Sequence, residues 1–228
     1  MSRKSAGAVF IFCVAGLLMF LANGLCSCHQ HPQLKAIANN PIVKGAADSS
    51  NQHIVDSAVS LLKSGYIVLR MGLGADSRML AQMNRKDKSY SHCGIVMVEN
   101  GYPFVYHSIG GENNPDARLR RDSARFFFSP VYNMALAIVR YDLDSGKLDE
   151  LGRVVRAYYR QRPKFDLKFD LRTDDKLYCS EFVYKAVNKA ARDTAYIGTT
   201  SAAGLRFVGI DNLFVTPHAH IIWQTAFK

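Results

Sequence analysis

Cysteine is scarce in this chain, with five residues among 228, and that scarcity excludes a scaffold built on disulfides. Acidic side chains are also few: 19 Asp and Glu stand against 29 Lys and Arg, a formal net charge of +10. No internal repeat or low-complexity run is present, which excludes solenoids and repeat arrays. A zinc-finger signature is not built by Cys179, His92 and His107, which lack short chelating spacing.

What is present begins with the N-terminus. Arg3-Lys4 precede a long apolar run from Ala6 to Leu25, which ends in Leu25-Cys26-Ser27-Cys28. This is the layout of a bacterial secretory signal. Leu25 and Ser27 are placed before Cys28 as in a lipoprotein signal, so Cys28 is the expected acyl acceptor. An uncleaved membrane anchor is the alternative, since about 20 apolar residues span a bilayer. Both readings tether the rest of the chain outside the cytoplasm, at the bacterial cell envelope. Loss of Arg3 and Lys4 with the signal lowers the net charge by two, to +8. A charge of that sign suits anionic lipid headgroups or acidic envelope polymers, and export argues against nucleic acid. Basic residues gather at Arg118, Arg120, Arg121 and Arg125, and again from Arg153 to Lys164. Both groups read as solvated basic faces.

Residues 1–28 are thus a signal, and 29–50, with Pro32 and Pro41 and no periodicity, are a tether. Residues 51–228 suffice for one domain. A helix is expected over Asn51 to Lys63, closed by Gly65, then a strand over Tyr66 to Met71. Asp76 is placed to cap a helical turn reaching Met83. Another strand follows at Met134 to Tyr141. Asp144 or Ser145 caps a helix with an apolar stripe of Leu148, Leu151, Val154, Val155, Tyr158 and Tyr159, ended by Pro163. A helix over Cys179 to Ala191 and a strand over Ala219 to Trp223 complete an α+β set.

Two motifs carry chemistry. Cys179 opens the amphipathic segment Cys179-Ser180-Glu181-Phe182-Val183, where unpaired backbone N–H groups and the helix dipole lower a thiol pKa. Upstream, residues 92–99 and 102–107 read as a hairpin around Asn100-Gly101. A two-residue turn pairs Glu99 with Tyr102, and counting outward pairs Gly94 with His107. His92, two residues beyond Gly94, shares that face and becomes a diagonal neighbour of His107 at roughly 7–8 Å. The same parity sends Cys93 to the opposite face, away from the histidines, and argues against a Cys93–Cys179 disulfide.

Ser91-His92-Cys93-Gly94-Ile95-Val96, a polar residue some fifteen positions later, and Tyr178-Cys179-Ser180-Glu181-Phe182-Val183 resemble the permuted papain-like amidases of the YaeF/YiiX type. These are relatives of the NlpC cysteine hydrolases in which the histidine strand precedes the cysteine helix. The resemblance runs from about Gly65 to the C-terminus and takes in Ile67-Val68-Leu69-Arg70, Phe165-Asp166 and Thr216-Pro217. It departs at His107, where the YaeF/YiiX type commonly carries an acidic residue. The unpermuted relatives use histidine there. The resemblance implies a permuted papain-like fold, with a nucleophile helix on an antiparallel sheet, and a hydrolase needing no cofactor.

In that mechanism Cys179 attacks a carbonyl carbon, His92 carries the proton and His107 orients His92. The backbone N–H of Cys179 supplies an oxyanion donor, with Tyr90 or Tyr178 as a second. Asp166 or Asp170, in the loop before the cysteine, is placed to receive a substrate amine or to bind Arg172. The expected substrate is an amide, such as a cell-wall peptide. An acyl lipid, hydrolysed or used in acyl transfer, is the alternative. A third reading is a structural zinc site built from Cys179, His92 and His107, closed by His218 or His220.

Overall fold

A computed structural model of the chain describes residues 49–110, 118–202 and 204–227. The expected signal, Cys28 and nearly all of the tether lie outside the described residues. Ser49 and Ser50, assigned to the tether from sequence, already form the first turn of a helix. The helices are α1 (Ser49–Ser60), α2 (Ala75–Ala81), α3 (Ala124–Phe127), α4 (Ser145–Gln161) and α5 (Cys179–Ala191). The strands are β1 (Ile67–Gly72), β2 (His92–Glu99), β3 (Tyr102–His107), β4 (Arg120–Ser123), β5 (Asn133–Tyr141), β6 (Thr200–Ala202), β7 (Leu205–Phe207) and β8 (Ala219–Ala226). Six of them form one antiparallel sheet in the order β4-β3-β2-β1-β5-β8, and β6 pairs with β7 alone. Among the described residues no helix is long and apolar enough to cross a membrane.

Alternation divides the central strands between two packed faces. Ile67, Leu69, Cys93, Ile95, Met97, Ala137 and Val139 point to the face covered by α4 and α5, with Leu151, Val155, Phe182, Val183 and Val187. Val68, Val96, Val105, Leu136 and Ile138 point to the other, under Val55 and Ala58 of α1 and the Phe127-Phe128 pair. Burial on both faces explains why β2 reads as a continuous apolar run rather than an alternating one.

Local chemistry accounts for the element ends. Asn100 and Gly101 take φ of 51° and 82°, the left-handed pair that a two-residue hairpin turn requires. The register then runs from Glu99↔Tyr102 to Ile95↔Tyr106, as counted from the sequence. Asp144 caps α4 by accepting from the Lys147 N–H at 2.9 Å, and the helix stops at Arg162 with φ 53°. Asp76 does not cap α2. Gly74 takes the cap position, while the Asp76 carboxylate accepts from the next N–H, that of Ser77, at 2.8 Å.

Strand β4 has no counterpart in the sequence reading, because Arg120-Arg121-Asp122-Ser123 carries none of the apolar alternation that marks a strand. The arginines of the first basic group are engaged rather than merely solvated. Arg121 lies 3.3 Å from the Phe104 ring centroid and pairs with Glu99, Arg120 pairs with Asp122 at 2.8 Å, and Arg125 pairs with Asp56.

Candidate active site

His92 and His107 meet across the glycine that separates them. The Nε2 of His92 lies 2.9 Å from the Nδ1 of His107. A Cβ on Gly94 would fall 2.4 Å from a Val105 methyl and 3.0 Å from the His107 Cβ, so a side chain there would push the second imidazole away. Beyond His107 stands Asp122, whose Oδ2 is 3.0 Å from the His107 Nε2. It occupies the position in β4 that the sequence reading missed. Because β4 pairs Val105 with Asp122 and His107 with Arg120, Asp122 is diagonal to His107 on one face, as His92 is on the other side.

The carboxylate fixes the proton arrangement. An ionised Asp122 only accepts, so the His107 Nε2 carries hydrogen and donates to it. The neutral His107 then offers its Nδ1 as acceptor, and the His92 Nε2–H donates to that lone pair. The His92 Nδ1 is left as the unprotonated nitrogen of the relay. Burial keeps both rings neutral. It pushes His107 down to about 4 against the opposing pull of Asp122, and it holds His92 well below its ordinary value, helped by the Arg70 charge and His107. Burial raises the Asp122 carboxyl, but hydrogen bonds from His107 and Arg120 outweigh it and leave the pKa lowered. Phe127 packs against both imidazoles, and the Arg70 guanidinium sits 4.5 Å above the same ring.

Cys179 stands elsewhere. Helix α5 packs on the face that Cys93 occupies and its first residue belongs to the same buried cluster, whereas the histidines pack on Phe127 of the other cluster. Among the described residues no hydrogen bond joins the Cys179 sulfur to either imidazole, and both Cys93 and Cys179 are free thiols. Both thiols lie in one buried cluster, and no disulfide joins them. Parity placed Cys93 opposite the histidines correctly, but the cysteine helix covers Cys93's face. A hydrogen bond from the Cys93 thiol pulls the Cys179 pKa down, against burial, with the backbone N–H groups of Ser180 and Cys93 adding to it. Burial and the same contact push Cys93 well up. Arg70, on the histidine face, feels the charges of both Asp122 and Cys179. On the cysteine face the Ser108 hydroxyl donates to the Leu177 carbonyl at 2.5 Å, tying the end of β3 to the approach of α5.

Cys179 forms part of the wall of a cleft with Leu80, Met83, Phe165, Phe169, Tyr178, Phe207 and Ile210. The cavity holds about 30 Å³, the share of one water molecule in the liquid, so a substrate must displace part of this apolar wall. A larger groove of about 330 Å³ lies between Arg153, Arg156 and Arg160 of α4 and Lys189 of α5, away from all the expected site residues.

The remaining expected residues have definite work. The Tyr178 hydroxyl accepts from the Val208 N–H at 2.8 Å, and its ring packs on Phe169 at 4.8 Å. The Tyr90 hydroxyl donates to Gln224 at 3.3 Å. Asp166 accepts from the N–H of Lys168 at 2.8 Å and of Asp170 at 2.6 Å, which holds the intervening Phe169 at φ 55° against the cleft. Asp170 binds Arg172 through both carboxylate oxygens at 2.8 Å, and this exposed pair draws the Asp170 pKa down to about 2. His218 stacks on Tyr196 at 4.3 Å, and His220 lies 2.8 Å from Asp142.

No family model matches the chain, and no curated protein does. Among solved structures it matches the crystal structure of the metalloprotein YiiX from Escherichia coli O157:H7, described under the family label DUF1105. The TM-score is 0.57 at 16% identity, covering 72% of this chain and 98% of that one. The likeness identifies the fold as YiiX-like, in agreement with the family resemblance of the two motifs. YiiX is described as a metalloprotein. In this chain the candidate ligands do not converge on one point: among the described residues no three or more His, Cys, Asp or Glu side chains are grouped to hold a metal ion. Cys179 belongs to the buried cluster on one face of the sheet, whereas both imidazoles pack on Phe127 of the cluster on the other, and His218 and His220 pair elsewhere.

Proposed function

We propose that this chain is a thiol-dependent hydrolase of the permuted papain-like kind, in which Cys179 attacks the carbonyl carbon of an amide. One observation carries the reading: a thiol whose pKa is lowered despite burial opens helix α5 and faces an apolar cleft. The thiolate forms the C–S bond, and the carbonyl oxygen turns toward the N–H of Cys179 at the free end of the helix. Arg70 adds a positive field to the thiolate. The leaving amine needs a proton, and the Asp122–His107–His92 relay is the nearby proton-handling group. To serve, His92 has to turn around the start of β2, where that strand is paired with β1 alone.

The aromatic and aliphatic cleft favours an apolar group beside the scissile bond. That feature supports a second reading, an acyl-lipid hydrolase or acyltransferase with the same nucleophile. A lipid at Cys28, or an N-terminal anchor, would hold the enzyme at the cell envelope beside either kind of substrate. Soluble peptide amides and lipid esters assayed with wild type, Cys179→Ala and His92→Ala test these readings together. Cys179→Ala abolishes turnover, and His92→Ala lowers it by about 10²–10⁴-fold. Turnover that survives in Cys179→Ala contradicts the thiol mechanism. Full activity in His92→Ala removes the relay from the reaction.

A further inference from the structure

Four large apolar side chains are more exposed than any others among the described residues: Leu167 at 80%, Tyr102 at 70%, Met79 at 68% and Leu205 at 63%. Tyr102 sits beside the turn of the β2–β3 hairpin. The other three stand on the three segments that wall the Cys179 cleft. Met79 precedes Leu80 in α2, Leu167 lies between Phe165 and Phe169, and Leu205 shares a face of β7 with Phe207, two residues on. Leu80, Phe165, Phe169 and Phe207 are themselves cleft wall, so apolar surface continues from the thiol outward to the rim. Single exposed hydrophobes are ordinary, but three around one cleft mark an interaction site.

Each of the three has an exposed cation as its chain neighbour: Arg78 before Met79, Lys168 after Leu167 and Arg206 after Leu205. The Arg78 guanidinium donates to the Leu73 carbonyl at 2.7 Å and that of Arg206 to the Thr199 hydroxyl at 3.0 Å, neutral partners that leave both charges in place. Apolar tips beside cations suit a bilayer with anionic headgroups, where the tips enter the acyl boundary and the cations stay among the phosphates. We propose that Met79, Leu167 and Leu205 form a collar that docks the cleft on an anionic membrane, so that an acyl chain of the substrate passes from the bilayer to Cys179 without crossing water. Docking needs no catalysis, but its use for substrate entry rests on the thiol hydrolase proposed above and selects its acyl-lipid form. The apolar wall has to part for the chain, since the cleft holds only about 30 Å³.

The test uses the single tryptophan of the chain. Trp223 packs against the cluster on the other face of the sheet, so wild type supplies the reference. Leu167→Trp and Leu205→Trp are each made in full-length Trp223→Phe and reconstituted in vesicles whose acyl chains carry bromine near the headgroup. With phosphatidylglycerol present, both new tryptophans should lose roughly half of their emission relative to unbrominated lipid, because an interfacial side chain sits about 5–10 Å into the headgroup boundary. On phosphatidylcholine alone the loss should be about twofold smaller. Quenching no greater than that of Trp223, or equal on the two lipids, overturns the collar. So does burial against a second copy of the chain, seen as a blue shift that grows with protein density and brings no quenching. Hydrolysis of a lipid ester and a soluble amide by wild type and Cys179→Ala in the same vesicles keeps the two readings apart. Quenching without thiol-dependent hydrolysis refutes only the enzyme, and thiol-dependent hydrolysis without quenching refutes only the collar.

Discussion

Asp122 sets the proton arrangement of the histidine pair, through a chain of donors and acceptors that leaves His92 Nδ1 bare. Replacing it with alanine removes the acceptor from a buried imidazole N–H while leaving the hairpin register alone. The expected cost is about 1–3 kcal/mol, the usual penalty for one unpaired buried donor. Denaturant unfolding measures that loss. Nitrogen NMR of the imidazoles adds a readout that packing alone would not move. In wild type His107 carries its proton on Nε2, and in Asp122→Ala that preference is lost. An unchanged tautomer would show that another group holds the His107 proton.

The loop before α5 acts as an element in its own right. Asp166 clamps the backbone on both sides of Phe169, and Phe169 holds the ring of Tyr178 at the cap of the cysteine helix. Asp166→Ala should release Phe169 from its left-handed backbone, a conformation costly for a bulky residue. The expected outcome is faster alkylation of Cys179, by a few fold, because the cleft wall opens, together with a modest loss of stability. Slower or unchanged alkylation would mean that Phe169 does not gate the thiol. The role of Asp166 was hidden in the sequence, where a carboxylate before the nucleophile looks like a substrate ligand. Elements with strong local signals were read well: Asn100-Gly101 gave the hairpin register, and α5 spans the residues expected of it. Strand β4 left no such signal, since its pairing with β3 brings charged partners and not apolar alternation. Asp122 was missed with it. The face on which α5 would settle is a matter of long-range packing that neither motif encodes, and that choice put Cys179 in one cluster with Cys93.

Across the whole molecule, acid stability follows from three buried groups. His107 falls from 6.5 to about 4, so between those values the unfolded chain binds a proton that the native state refuses, and stability drops as pH falls. Glu181 does the opposite. Burial raises it from 4.5 to about 7 against the pull of Lys185, so in that window the native state holds a proton the unfolded chain has lost. The two shifts oppose each other. His92, also pushed down, adds to the loss from His107, and the protein should lose stability on acidification from about pH 6.5 toward 4. Glu181→Gln removes the opposing contribution and should steepen that loss, as melting temperatures across the pH range would show. A stability that rises toward pH 4 would place charged imidazoles in the native state.

The central claim is an activated thiol at the start of α5, and peptide-resolved alkylation of the folded protein across pH tests it most directly. Cys179 should react with iodoacetamide along a titration midpoint below the free-thiol value of about 8.5. Cys93, enclosed and raised, should stay unmodified until the protein unfolds. His92→Ala should shift the Cys179 midpoint little, because no bond joins that ring to the sulfur. A Cys179 midpoint at or above the free-thiol value, or equal rates for the two cysteines in the native protein, would contradict the account.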